Sequence, residues 1–243
     1  MEEQMWNRFG RKTILYFTGY KDSRVPSMEE ELARVGMDNV DRQWQFPTPF
    51  DDVFFRCMKH IPELTKSMLN LSLAHYRAVA TAYHLGFDTA LIMEDDIRFL
   101  KDKARLGEII DSLPEDYDIA MMDAIPRFDK NDFDRYLYWK NECRLNENWA
   151  HFDRMYSTAC YAVSRKGMER LMFCVEAIEK RPMIFMMRNP DHFMDRHIIG
   201  KDAKMYFSIN NACIQSENKD CLTNTGFAKE SYEKMGVDPG MYA

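Results

Sequence analysis

Glu94, Asp95 and Asp96 follow directly on the apolar run Ala90-Leu91-Ile92-Met93, so a strand core ends on three consecutive carboxylates. In open α/β sheets ligands collect outside the carboxyl ends of the strands, where acidic side chains can bridge a divalent cation to an anionic ligand. Glu94 and Asp96 have a DxD-like spacing. Alternate side chains at a strand end point the same way, and their hard oxygens suit magnesium or manganese. A solvated acidic turn is the plain structural reading of the same letters.

The second candidate is Asn189-Pro-Asp-His-Phe-Met-Asp-Arg-His-Ile198. Pro190 suits a helix start and leaves Asp191 near the positive end of the dipole, where a carboxylate stays ionised and can accept a proton. A solvated helix face accounts for the cluster equally simply. His75 falls inside a helical stretch, and a lone helical histidine is most often a hydrogen-bonded structural group. None of the histidines forms HExxH, and the chain has no P-loop, GxGxxG or GxSxG element.

Composition narrows the field. With 243 residues and 46% hydrophobic content the chain suits one large domain. A net charge of −6 argues against a nucleic-acid surface, which carries a basic face. No apolar window reaches the length of a membrane span, and the charged N-terminus lacks a signal-peptide core. These features predict a cytoplasmic protein, peripheral at most to a membrane that carries its substrate. The six cysteines show no CxxC spacing and fit reduced packing residues.

The elements that would position the acidic run can be read in order. Thr13 to Thr18 suits a first strand; Ser27 and Glu30 form a capping box for a helix ending at Gly36; Asn39 to Phe46 suits a second strand. Leu69, Leu73, Tyr76, Ala80 and Tyr83 mark a one-faced helix closed by Gly86, before the strand Thr89 to Met93. Leu106 to Leu113 suits a helix stopped by Pro114, and Ile119 to Met122 a strand ending on Asp123. Tyr156 to Val163 and a helix capped by Ser164 follow. The alternation predicts an α/β domain with a mainly parallel sheet flanked by helices.

Residues 127 to 155 interrupt this rhythm with Phe128, Phe133, Tyr136, Tyr138, Trp139, Trp149 and Phe152 and no sustained period. Two readings stay open: an aromatic wall for stacking on sugars, or a satellite hydrophobic cluster. The last twenty or so residues, rich in glycine with Pro239, suit a peripheral tail.

With these pieces in order, the chain resembles glycosyltransferase family 25, the lipooligosaccharide-biosynthesis and collagen galactosyltransferase group. The resemblance runs from about residue 13 to 216 through Tyr20-Lys-Asp-Ser-Arg24, His75, Ala90 to Ile97, Pro114-Glu-Asp-Tyr-Asp118, Thr158 to Gly167, Pro190-Asp191 and Ile214-Gln215. Thr18-Gly19-Tyr20 stands where the family has Asn-Leu-Asp, and Cys160 where it has histidine.

The resemblance implies a Rossmann-like GT-A fold and a metal-dependent, inverting hexosyltransferase. Such an enzyme moves a sugar from a nucleotide-sugar donor, UDP-linked by expectation, to a hydroxyl of a glycan or glycoconjugate acceptor, as in lipopolysaccharide and polysaccharide biosynthesis. It implies Asp96 and Glu94 as ligands of Mn2+ or Mg2+, and Glu94, Asp95 and Arg24 as donor contacts. Asp191 becomes the catalytic base, and Arg165 and Lys166 become phosphate neutralisers unless they simply solvate a helix start. Direct displacement needs such a base and a neutralised diphosphate.

Two rivals stand beside it. A non-catalytic carbohydrate- or cation-binding module can use the same scaffold. A receiver-like phospho-acceptor domain is suggested by Leu91 to Asp96 with Asp118 to Asp123, but Asp123 follows the acidic run too closely for that fold.

Overall fold

The computed structural model describes residues 5–15, 24–37, 42–45, 63–123, 130–153, 157–179, 200, 202–215, 230 and 232–237. Within them a seven-stranded sheet carries the helices. Its strands are β1 (Arg11–Leu15), β2 (Arg42–Gln45), β3 (Thr89–Glu94), β5 (Ile119–Met121), β6 (Trp149–His151), β7 (Cys160–Ser164) and β8 (Met205–Ser208), in the order β2-β1-β3-β7-β5-β8-β6. A two-stranded sheet pairs β4 (Ile97–Phe99) with β9 (Cys213–Gln215). The helices are α1 (Val25–Arg34), α2 (Glu63–His84), α3 (Lys103–Asp111), α4 (Lys130–Glu142) and α5 (Arg165–Glu179).

The expected α/β architecture is present, and the sheet is mixed. β1 runs parallel to β2 and β3, and β5 parallel to β8. β7 lies antiparallel between β3 and β5, and β6 is antiparallel to β8. Because β7 reverses against both neighbours, β3, β5 and β8 share one direction. Their carboxyl ends therefore meet at one edge of the sheet. An antiparallel strand in the middle also departs from the doubly wound parallel sheet of receiver domains.

Strand alternation divides the core. Leu91 and Met93 join Leu106, Ile109, Ile110 and Trp149 on one face; Ala90 and Ile92 join Ala74, Ala78 and Tyr161 on the other. Ala74, Ala78 and Ala82 are fully buried at four-residue steps along α2, so small side chains let this helix lie close to the sheet. The period of two then puts Glu94 on the α2 side with Ile92.

Local signals worked where they were local. Gly36 has φ +75° and ends α1 as expected, its N–H bonding Ala33 while Met37 N bonds Leu32 O at 2.7 Å. The start of α1 differs: the helix begins at Val25, with Pro26 in its first turn, and Ser27 Oγ donates back to Arg24 O at 3.1 Å. Ser164 does cap α5, accepting from Gly167 N at 3.2 Å. At Gly167 a Cβ would stand 2.1 Å from Asp118 O, so glycine here serves the contact of α5 with the start of β5.

The 130–153 stretch is built into the fold. It forms α4 and β6, and Tyr136, Trp139, Trp149 and Phe152 are buried. Trp149 Nε1 donates to Ile109 O at 2.8 Å. Trp139 and Trp149 are thus core residues and present no wall for stacking on sugars. Among the described residues no helix is long and apolar enough to cross a membrane.

Candidate functional site

The shared edge of β3, β5 and β8 gathers the acidic groups. Glu94 closes β3, Asp95 and Asp96 form the turn into β4, and Asp123 follows β5. All four are buried, so the solvated-turn reading of the acidic run does not hold.

Glu94 is reached from three elements. Thr158 Oγ1 donates to its Oε1 at 3.1 Å, Gln215 Nε2 to its Oε2 at 3.2 Å, and His75 Nε2 lies 3.4 Å from Oε1. The other imidazole nitrogen of His75 is 3.1 Å from the Tyr161 hydroxyl. Burial raises the Glu94 carboxyl to about 7, with the neighbouring Asp95 charge adding to the rise and the Thr158 hydrogen bond opposing it.

Asp123 has its own ring of donors. Ser157 Oγ and Tyr232 OH each reach Oδ2 at 2.9 Å, and Asn211 Nδ2 reaches Oδ1 at 3.1 Å. Burial raises this carboxyl too, to about 7, against those hydrogen bonds and helped by the charges of Glu94 and Asp96. Asn211 sits in the turn between β8 and β9 at φ +31°, a backbone position that asparagine tolerates.

Asp95 and Asp96 face a cation. Arg24 Nη1 lies 2.8 Å from Asp95 Oδ1 and 3.5 Å from Asp96 Oδ2. Arg24, expected as a donor contact, is therefore engaged by two carboxylates. Arg165 and Lys166 are elsewhere: Ser164 pairs with Thr89 at the far end of β3, so these cations stand about five residues, or roughly 16 Å, from Glu94. Arg165 stacks 3.8 Å over Tyr83 and Lys166 faces Asp118, which corrects their expected phosphate role. Asp191 lies outside the described residues.

The fit to a metal ion can be tested on these partners. Among the described residues no three acidic, histidine or cysteine side chains are placed to hold one ion. Glu94 gives its oxygens to Thr158 and Gln215, and Asp96 faces Arg24. In this arrangement a cation at Glu94 and Asp96 would compete with Thr158, Gln215 and Arg24 for their oxygens. What the arrangement can do is hydrogen-bond hydroxyl groups and hold a proton near neutral pH at Glu94 or Asp123.

His75, Thr158 and Tyr161, which lie in segments that carry the resemblance, complete the site together with Ser157, Asn211 and Tyr232, which have no local sequence signal of their own. Their roles come from pairings such as Ile92 with Tyr161 and from contacts between residues far apart in sequence, as across the 64 positions between Thr158 and Glu94.

No family model and no curated protein matches the chain. Among solved structures it is similar to the galactosyltransferase LgtC in complex with donor and acceptor sugar analogs, at 12% identity and TM-score 0.40 over 80% of this chain and 72% of that one. It is similar to a glycosyltransferase involved in the glycosylation of the major capsid of PBCV-1, at 9% identity and TM-score 0.43 over 93% and 98%. It is also similar to A197 from STIV, at 10% identity and TM-score 0.40 over 86% and 95%. Likeness this slight carries neither family nor reaction.

Proposed function

We propose that the chain is a glycosyltransferase that moves a hexosyl group from a nucleotide sugar to a hydroxyl of a glycan or glycoconjugate. The observation that supports this reading is the pair of buried carboxyls, Glu94 and Asp123, at one sheet edge among hydroxyl, amide and imidazole groups. Sugars present rings of hydroxyls, and such mixed donors and acceptors recognise them. The sequence resemblance points to the same chemistry.

In the proposed reaction the acceptor oxygen bonds the anomeric carbon as the bond from that carbon to the diphosphate breaks. The acceptor proton passes to a carboxylate, and Asp191 is assigned that part. Glu94 and Asp123 orient sugar hydroxyls. Glu94 and Asp96, the expected metal ligands, have Thr158, Gln215 and Arg24 as partners in this arrangement.

Release of free nucleotide from UDP-, GDP- and CMP-sugars tests the reading, with manganese, magnesium and chelator arms and a mixed-glycan acceptor. Turnover of one donor, lowered by roughly 10² in Asp191→Asn with donor affinity kept, supports it. No release from any donor sinks it. The engagement of Asp95 and Asp96 by Arg24 favours a second reading, a carbohydrate-binding module without catalysis, for which saturable sugar binding would accompany zero turnover.

A further inference from the structure

A cavity of about 360 Å³ opens beside the carboxylates, between the segment after β4, α3, α4, the β8–β9 turn and residues 235–237. Its size suits a small molecule. Lys101, Arg105 and Lys140 line it and no acidic residue does, in a chain whose net charge is −6. Among the described residues neither lysine ammonium makes an ion pair or hydrogen bond, and Lys140 lies 5.9 Å over the Tyr136 ring. Arg105 is held in place by exposed Glu108 at 2.5 Å and by Asn148 Oδ1 at 2.6 Å.

A second, independent observation points to a ligand. Ser208 lines the cavity at 1% exposure, and its Oγ has no hydrogen-bond partner among the described residues. Buried hydroxyls are nearly always satisfied, and one left over at a polar cavity wall is a donor in waiting. Asn211 lines the same cavity while its Nδ2 bonds Asp123. One side chain therefore separates the cationic cavity from the acidic edge.

We propose that this cavity binds the phosphoryl group of a phosphorylated sugar substrate, with Lys101 and Lys140 supplying the charge and Ser208 a hydrogen bond. The inference rests on the glycosyl-transfer reading for the word substrate alone. The charge map motivates it: Arg24 is matched by Asp95 and Asp96, so the acidic edge repels a phosphate, whereas the cavity attracts one. The phosphoryl group can belong to the nucleoside diphosphate of a donor or to a sugar phosphate acceptor.

Titration calorimetry with uridine diphosphate, glucose 6-phosphate and neutral glucose tests it on the intact chain and on Lys101→Ala, Lys140→Ala and Ser208→Ala. A phosphorylated probe should bind and glucose should not. Each lysine variant should weaken that binding at least tenfold and flatten its salt dependence. Ser208→Ala should weaken it while raising the melting temperature of the free protein, because a buried unmet hydroxyl is removed. Loss confined to uridine diphosphate assigns the cavity to the donor, and loss confined to glucose 6-phosphate to the acceptor. If neither probe binds, or binding is unchanged in both lysine variants, the proposal is overturned. Lysine-dependent binding with no transfer from any donor would remove the glycosyltransferase reading and leave the phosphate site standing.

Discussion

Arg24 and Asp95 form a buried ion pair, Nη1 to Oδ1 2.8 Å, at 4% and 2% exposure, and the same nitrogen lies 3.5 Å from Asp96. The pair joins the N-terminal end of α1 to the turn after β3. Arg24→Met should cost roughly 3–5 kcal/mol, because two carboxylates lose their cation without gaining water. Adding Asp95→Asn should recover part of that loss, since the penalty lies in the orphaned charge. Urea unfolding of the two single variants and the double variant measures the coupling. Strictly additive losses would show that the pair is not coupled.

Stability should fall with rising pH between about 4 and about 7. Glu94 and Asp123 are both pushed by burial to about 7, above their ordinary values of 4.5 and 3.8. In that window the folded chain holds protons that the unfolded chain has released, so stability is fully present below the unfolded values and is lost through the folded ones. For Asp123 the shift corresponds to roughly 4 kcal/mol. Melting temperatures at pH 4.5, 6 and 7.5 check the slope. Tyr232→Phe removes a donor to the ionised form and should steepen it.

Trp139→Ala and Trp149→Ala should lower stability by roughly 3–5 kcal/mol, as expected for deleting a buried indole. Trp149 is fully buried and its N–H is bonded to Ile109 O, so the larger loss belongs there. Denaturant midpoints check this. In the fraction that stays folded, the acceptor KM should be unchanged.

The sequence is legible where period and punctuation are local. The β3 run with its acidic end, the Gly36 stop of α1 and the Ser164 cap of α5 follow from neighbours alone. The direction of β7 does not, because an apolar strand reads the same both ways until its partners are known. The aromatics of α4 lacked a clean period because charged residues share its turns, yet Tyr136 and Trp139 face the core at a three-residue step. The acidic run was visible, but its burial was not. Gln215, Thr158 and His75 reach Glu94 from three other elements, and no window of sequence contains them together.

Glu94→Gln should separate activity from stability. At pH 8 the native carboxylate is ionised in a buried place, so the neutral isostere removes that cost and should raise the melting temperature. Thr158 can rotate its hydroxyl and Gln215 can turn its amide, which lets both keep a partner. At pH 5 Glu94 already carries its proton, and the variant should melt with the wild type. Transfer should nevertheless drop roughly tenfold or more at pH 8, since the amide cannot bind a sugar hydroxyl with charge, whereas at pH 5, where the wild-type side chain is uncharged too, the two should differ little. Melting curves at the two pH values, paired with nucleotide release, decide it. A variant that is stabilised at pH 8 and fully active would make Glu94 a buried structural acid, and the orientation of sugar hydroxyls would then fall to Asp123.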